Sequence, residues 1–293
     1  MSGKIRFAPS PTGYLHEGHL LSALYVWAAA KKWNLKIHLR IEDHDQSRAR
    51  PAYIEGIRED LAWLGFHYDS ESIQSARSEV YKAALQKLED KSLVYPCYCS
   101  RKQLLAENPQ SETGEIIYQG KCLSQLGSRK SELGIGAAPH NLRFIVPDKF
   151  IDWHDLRLGD FHENPKLQCG DFPIRDRDNQ WTYQFAVCVD DIDENITHIV
   201  RGEDIRNSTA RQIALMEALG RTERPIYLHH PLIVDENNKK LSKRELAHSL
   251  RQDKEAGITP EMLFGRVCFK ARLTESDTPI TLVNAMSIIM ERL

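Results

Sequence analysis

The sequence predicts an α/β fold around a parallel sheet, and three observations carry the expectation. "KIRF" (residues 4–7) and "KIHLRIED" (36–43) alternate apolar and polar residues as strands do, the stretch 20–33 between them is long and rich in alanine and leucine like a buried helix, and strands and helices resume their alternation from residue 171. Two parallel strands joined by a right-handed helical crossover place a ligand at the carboxyl ends of the strands. A Rossmann-type, nucleotide-binding sheet is therefore the natural architecture. "APSPTG" (8–13) and "EDHD" (42–45) both fall at those strand ends.

Taken in order, residues 52–64 read as a helix with Ile54, Ile57, Leu61 and Leu64 in step, and 78–93 as another, with Ser78 as cap and Tyr81, Leu85 and Leu88 on one face. From Tyr95 the texture changes. Residues 97–165 are short on helical periodicity and hold a paired cysteine, a "NPQSETGE" loop and a "LGIGAAPH" turn region, which reads as an insertion. "DFPIRDRDNQWTYQFAVCVDD" reads as resumed strand, followed by a turn at "DEN" and a strand at "ITHIV". A helix near 208–219 and a strand in "IYLHHPLIV" complete the alternation, and the chain after Lys243 is mostly helical and polar. The chain thus divides into a Rossmann-type catalytic unit (1–96 and 166–245), a zinc-binding insertion (97–165) and a short helical C-terminal region (246–293), without internal repeats or low-complexity segments.

The 293 residues are ample for a buried core, and a net charge of -2 leaves any polyanion site to a local patch rather than to global attraction. No apolar run reaches about 18 residues and no secretory signal opens the chain, so a cytoplasmic protein without membrane partners is expected. A monomer is expected as well, though no feature of the sequence carries that. Six cysteines in such a compartment read as thiols rather than disulfides, and clustering among them points to metal.

Three motifs carry chemistry. In "HEGH", His16 and His19 stand where the apolar helix begins; its free N–H groups suit a phosphate, and Gly18 lets a ligand approach the backbone. A capped, half-exposed helix start accounts for the same histidines. "KKLSKRE" (239–245) is a cationic loop whose ammonium groups suit the charge that builds when ATP is split between its α and β phosphates. A lysine run is otherwise a solvated turn; its place about 220 residues after "HEGH" in an α/β chain favours the phosphate role. "CYC" supplies Cys97 and Cys99, with Cys122 further on; three thiolates in one irregular segment suit a structural zinc, with Tyr118 and His140 as candidates for the fourth ligand and buried thiols as the plainer alternative. Arg6, Glu42, Tyr183 and Arg201 lie near expected strand ends; the arginines suit a carboxylate and Glu42 an ammonium group.

"FAPSPTGYLHEGH", "RIEDHD", "GED" and "KLSKR", in this order between about residues 4 and 250, resemble the catalytic half of the glutamyl-tRNA synthetases, class I aminoacyl-tRNA synthetases with His-Ile-Gly-His and Lys-Met-Ser-Lys-Ser signatures. The resemblance implies that ATP with Mg²⁺ and L-glutamate give glutamyl-adenylate and pyrophosphate, after which a hydroxyl group on tRNA attacks the activated carbonyl. It implies that Arg6, Ala8, Ser10, Glu42, Tyr183 and Arg201 hold glutamate, Arg201 taking the side-chain carboxylate. His16, Gly18, His19, Lys240, Ser242 and Lys243 would hold ATP, with His16, His19 and Lys243 catalytic.

Only about 50 residues follow the lysine loop, too few for the helical anticodon-binding region of the full-length enzymes, so the chain is expected to resemble their truncated glutamyl-Q tRNA(Asp) paralogues. These attach glutamate to queuosine in the anticodon stem-loop of tRNA(Asp), and their Cys-x-Cys, Tyr-x3-Cys zinc site matches Cys97, Cys99, Tyr118 and Cys122 in order and spacing. That likeness selects Tyr118 over His140. Two residues depart from the signatures: Leu241 replaces the methionine of the second, and Glu17 replaces the apolar residue of the first, where its charge is expected to weaken ATP binding somewhat.

Overall fold

Strand β1 (Lys4–Phe7), helix α1 (Glu17–Trp33) and strand β2 (Lys36–Ile41) form the expected crossover, β1 and β2 running parallel with Ile5 opposite Ile37 and Phe7 opposite Leu39. The computed structural model describes residues 3–45, 47–111, 114–125, 139–233 and 248–293. Helix α1 is buried from Leu20 to Ala30 save Ser22, which explains its alanine content: small side chains let it lie close to the sheet. It stops at Asn34, whose left-handed φ of 52° closes the helix with a backbone bond to Ala30.

The chain continues through α2 (Pro51–Trp63), β3 (Ser70–Ile73), α3 (Ser78–Asp90) and β4 (Val94–Cys97). Ser78 is the first residue of α3 rather than its cap; Arg77 holds that position and makes no side-chain cap bond. The next segment carries α4 (Arg101–Glu107), α5 (Lys121–Gln125), β5 (Asn141–Phe144), the β6 (Ile151–Asp155) and β7 (Gly159–Glu163) hairpin, α6 (Pro165–Cys169) and β8 (Pro173–Arg175). Then come α7 (Tyr183–Asp193), β9 (His198–Gly202), α8 (Thr209–Ala218), β10 (Ile226–His230) and the C-terminal helices α9 (Leu250–Glu255), α10 (Pro260–Lys270) and α11 (Leu282–Met290).

Seven strands form the main sheet in the order β3-β2-β1-β9-β10-β6-β7, parallel throughout except for β7. The order turns between β1 and β9, the place where an open α/β sheet leaves a crevice. A second, antiparallel sheet joins β4, β5 and β8. Sheet membership crosses the expected insertion boundary in both directions: β6 and β7 belong to the main sheet, and β8 completes the small one.

Alternation along the central strands feeds both faces. Val200 and Leu228 join the cluster built around α1 and α10, while Ile199 and Tyr227 join the one built around α3, α7 and α8. Two expectations change here. The "WTYQFAVCVDD" stretch is helix α7, not strand; Phe185 to Asp191 are all buried, so no polar stripe betrays the helical period. The residues after 249 are helical as expected but not uniformly polar, since Leu263, Phe264, Val267, Ala285 and Ile289 pack into the α1 cluster.

Candidate active site

The crevice between β1 and β9 opens into a cavity of about 1120 Å³ lined by Ala8, Ser10, His16, Gly18, Glu42 and Tyr183 among others. A deeper recess of about 150 Å³ adds Arg6 and Arg201 to Ala8, His19, Glu42 and Tyr183. Chain segments far apart in sequence thus bring the described candidate residues to one place. Lys240, Leu241, Ser242 and Lys243 lie outside the described residues.

At the cavity edge His16 caps α1: its Nδ1 accepts from the Gly18 backbone N–H at 3.1 Å, and the His16 N–H donates to His19 Nδ1 at 3.2 Å. The two rings lie 3.9 Å apart. Burial lowers both imidazole pKa values, His19 to about 3, so both are neutral at pH 7 and keep Nε2 for a ligand. The capped-helix reading is therefore correct as geometry, and it leaves the motif open to a ligand.

Glu17 is not among the residues that line the cavity. Its carboxylate pairs with Arg266 at 2.6 Å and Lys270 at 2.6 Å, both on α10, so its charge is compensated locally. Arg266 also pairs with Asp253 of α9 at 2.7 Å, while the Leu250 N–H donates to the Leu15 carbonyl at 2.8 Å. The segment that follows the lysine loop is thereby pinned beside the first motif.

Below the recess lies an ionic network that the sequence did not announce. Arg40, with no exposed surface, donates to Asp191 at 2.6 Å and Glu194 at 2.5 Å, and its charge lies 3.8 Å from both Glu42 and Asp190. Arg6 donates to Asp191 at 3.1 Å and to the Val200 carbonyl at 3.3 Å. Among the described residues Glu42 has no such close partner, Arg40 standing at 3.8 Å. Burial pushes its pKa up to about 7 against the pull of Arg40 and Arg6.

Arg201 is the opposite case. Its Nε donates to His229 Nε2 at 3.0 Å, Nη1 to Gln212 Oε1 at 2.6 Å and Nη2 to Thr209 Oγ1 at 2.9 Å, so neutral acceptors hold it. Only 5% exposed, it has no carboxylate within ion-pairing distance among the described residues. A buried guanidinium beside a polar recess without a counter-ion is arranged to receive an anion. Tyr183, at the start of α7, closes the same recess.

The cysteine cluster lies apart from this cavity. The sulfurs of Cys97, Cys99 and Cys122 all fall within 4.8 Å of one another, and the Tyr118 hydroxyl lies 3.6 Å from Cys97 Sγ and 3.8 Å from Cys99 Sγ. A tetrahedral zinc with ordinary bond lengths places sulfurs about 3.8 Å apart and oxygen about 3.5 Å from sulfur, so these four residues fit a closed site. A proton shared with Cys97 draws the Cys122 thiol pKa down and pushes that of Cys97 up. Arg143 lies 3.9 Å above the Tyr118 ring. Gly170 makes this seat possible, because a Cβ there would stand 2.0 Å from the Tyr118 carbonyl oxygen. His140 instead packs on Tyr98, with ring centroids 5.3 Å apart.

Residues 4–281 match the family model described as tRNA synthetases class I (E and Q), catalytic domain. A glutamate–tRNA ligase of Paraburkholderia phytofirmans is 40% identical over 276 residues, a match covering 93% of this chain and 58% of that protein. One from Aquifex aeolicus is 39% identical over 268 residues, covering 90% and 56%. The crystal structure of glutamate-tRNA synthetase from Elizabethkingia anophelis superposes with a TM-score of 0.76 at 27% identity, over 98% of this chain and 65% of that one. The chain spans a little over half the length of the curated relatives it matches. By the extent of these matches, it belongs to the class I tRNA synthetases of the E and Q type, and what it carries is their catalytic domain.

Proposed function

We propose that the chain activates L-glutamate with ATP in the absence of tRNA and then transfers the glutamyl group to the queuosine base of the tRNA(Asp) anticodon stem-loop. The observation that carries the activation step is Arg201, a buried cation without a counter-ion among the described residues, in a recess sized for a small amino acid. In this reading Arg201 takes the side-chain carboxylate, Glu42 takes the ammonium group, and Arg6, Ala8, Ser10 and Tyr183 shape the recess. An α-carboxylate oxygen attacks the α-phosphorus of ATP, and the bond to the pyrophosphate oxygen breaks. His16, Gly18 and His19 hold the nucleotide at the start of α1, and Lys240, Ser242 and Lys243 meet the phosphates, with Mg²⁺ arriving on ATP. Catalysis is alignment and charge stabilisation, without a covalent enzyme intermediate.

The acceptor rests on the insertion. Cys97, Cys99, Tyr118 and Cys122 resemble the zinc site of the glutamyl-Q paralogues in spacing and have the geometry of a tetrahedral site. Zinc there would supply folding energy to the insertion and take no part in the reaction. A second reading, the catalytic part of an enzyme charging the tRNA 3′ end, is favoured by the relatives named glutamate–tRNA ligase. Glutamate-dependent exchange of pyrophosphate into ATP, with and without tRNA, separates the two. Exchange without tRNA followed by transfer to queuosine-containing tRNA(Asp) supports the proposal, and exchange that requires tRNA favours the second reading.

A further inference from the structure

Arg201 is held by a relay that no signature motif contains. His229 of β10 and Asp155 of β6 are both fully buried, and Asp155 Oδ2 lies 2.7 Å from His229 Nδ1. The same oxygen accepts the His229 backbone N–H at 2.9 Å, while Oδ1 accepts the backbone N–H groups of Arg157 and Leu158 at 3.0 and 2.9 Å. A carboxylate receiving three backbone donors is an acceptor only, so the proton between it and His229 sits on Nδ1. His229 Nε2 then carries a lone pair, and the Arg201 Nε–H at 3.0 Å points to it, with the Thr209 hydroxyl at 3.4 Å as a second neighbour. Burial and the charge of Arg201 keep His229 from taking a second proton against the pull of Asp155.

We propose that Asp155 and His229 form a positioning pair: Asp155 fixes the tautomer of His229, and His229 fixes the plane of the Arg201 guanidinium toward the recess, setting affinity for the substrate side-chain carboxylate. The inference rests on Arg201 as the partner of that carboxylate. The guanidinium plane matters because two parallel N–H bonds to a carboxylate form only when the fork lies in the carboxylate plane. With Nε tied to His229, Nη1 to Gln212 and Nη2 to Thr209, the outer N–H groups have one direction left.

The test compares His229→Asn with His229→Gln in glutamate-dependent pyrophosphate exchange. Asparagine keeps a donor near the Nδ1 position for Asp155 and offers nothing at the Nε2 position. Glutamine reaches the Nε2 position with an acceptor oxygen. The expected result is a KM for glutamate raised about tenfold or more in His229→Asn, an ATP KM and thermal midpoint close to wild type, and recovery to about threefold of wild type in His229→Gln. Equal glutamate KM values in the two variants, or rises in both that follow the loss of thermal midpoint, overturn the pair as a positioning device. An inactive wild type overturns the activation reading and this inference together, whereas an active wild type with unchanged variants overturns this inference alone.

Discussion

Beneath the recess, Arg6, Arg40, Asp190, Asp191 and Glu194 are buried in a chain whose two large apolar clusters hold most of its core, whereas around the cysteines the buried apolar cluster among the described residues is Tyr95, Cys97, Cys99 and Tyr118. In the first region apolar packing provides the folding energy, and charges are arranged inside a frame that stands without a ligand. In the second, the groups able to bind a metal are themselves most of the core. The difference teaches where a bound ion would matter: on the proposed reading, a substrate entering the recess would complete a charge pattern, and an ion entering the cysteine cluster would complete a fold.

The largest effect should come from breaking the frame under the recess. Arg40→Met removes the cation that Asp191 and Glu194 share, leaving Asp191 to Arg6 and Glu194 to His38 and the more distant Arg77, and urea denaturation should show about 3 kcal/mol lost. A loss below about 1 kcal/mol would mean that the network is replaceable by packing. Next is the cysteine cluster: chelation, or Cys99→Ser, should release one zinc per chain and expose residues 98–125 to protease. Tyr118 and its neighbours lose their centre, yet pyrophosphate exchange should stay near wild type. Exchange falling in parallel with zinc content would erase the contrast between the two regions.

The third prediction concerns pH. The pKa of Glu42 in the folded chain, about 7, lies above its ordinary 4.5, so the native protein takes up a proton there as pH falls from neutrality. Its buried charge costs stability above about pH 7, and that cost lifts below it. Binding of an ammonium group needs the charged form, so the glutamate KM should rise, approaching about tenfold per unit below pH 7. A profile of the same shape in Glu42→Gln would assign the titration to another group. The smallest effect belongs to Glu17→Ala. Losing the partly exposed pairs to Arg266 and Lys270 should cost about 1 kcal/mol and leave the ATP KM within about twofold of wild type. A large fall in ATP KM would show that the carboxylate repels the phosphates after all.

The sequence was legible where side-chain period and neighbourhood agree. Strands β1, β2, β9 and β10 alternate or run apolar, α1 is long and bounded by its cap, and His16, Gly18 and His19 mark its start. Helix α7 reads as a strand in the sequence because Phe185, Val187 and Val189 alternate with Ala186, Cys188 and Asp190, which are buried as well, so a helix covered on nearly every side imitates a strand. The network under the recess left no local trace: Arg40 meets Asp191 from 151 residues away, and Asp190 and Asp191 look like an ordinary polar turn. His229 and Asp155 were likewise invisible, since a buried histidine and an aspartate at a strand end have many ordinary explanations. Their one signal was a polar residue inside an apolar strand, "IYLHH", where burial demands a partner.

The clamp between Glu17, Arg266 and Lys270 has an evolutionary consequence. An acid at the second place of the first signature needs the cations on α10, since alone it would be a nearly buried, unpaired charge at the start of α1. The three positions should therefore be inherited together: lineages that keep the acid should keep both cations, and lineages with an apolar residue at 17 should be free to vary 266 and 270. An alignment of chains sharing the HEGH spelling would display that correlation as a fingerprint dividing the family.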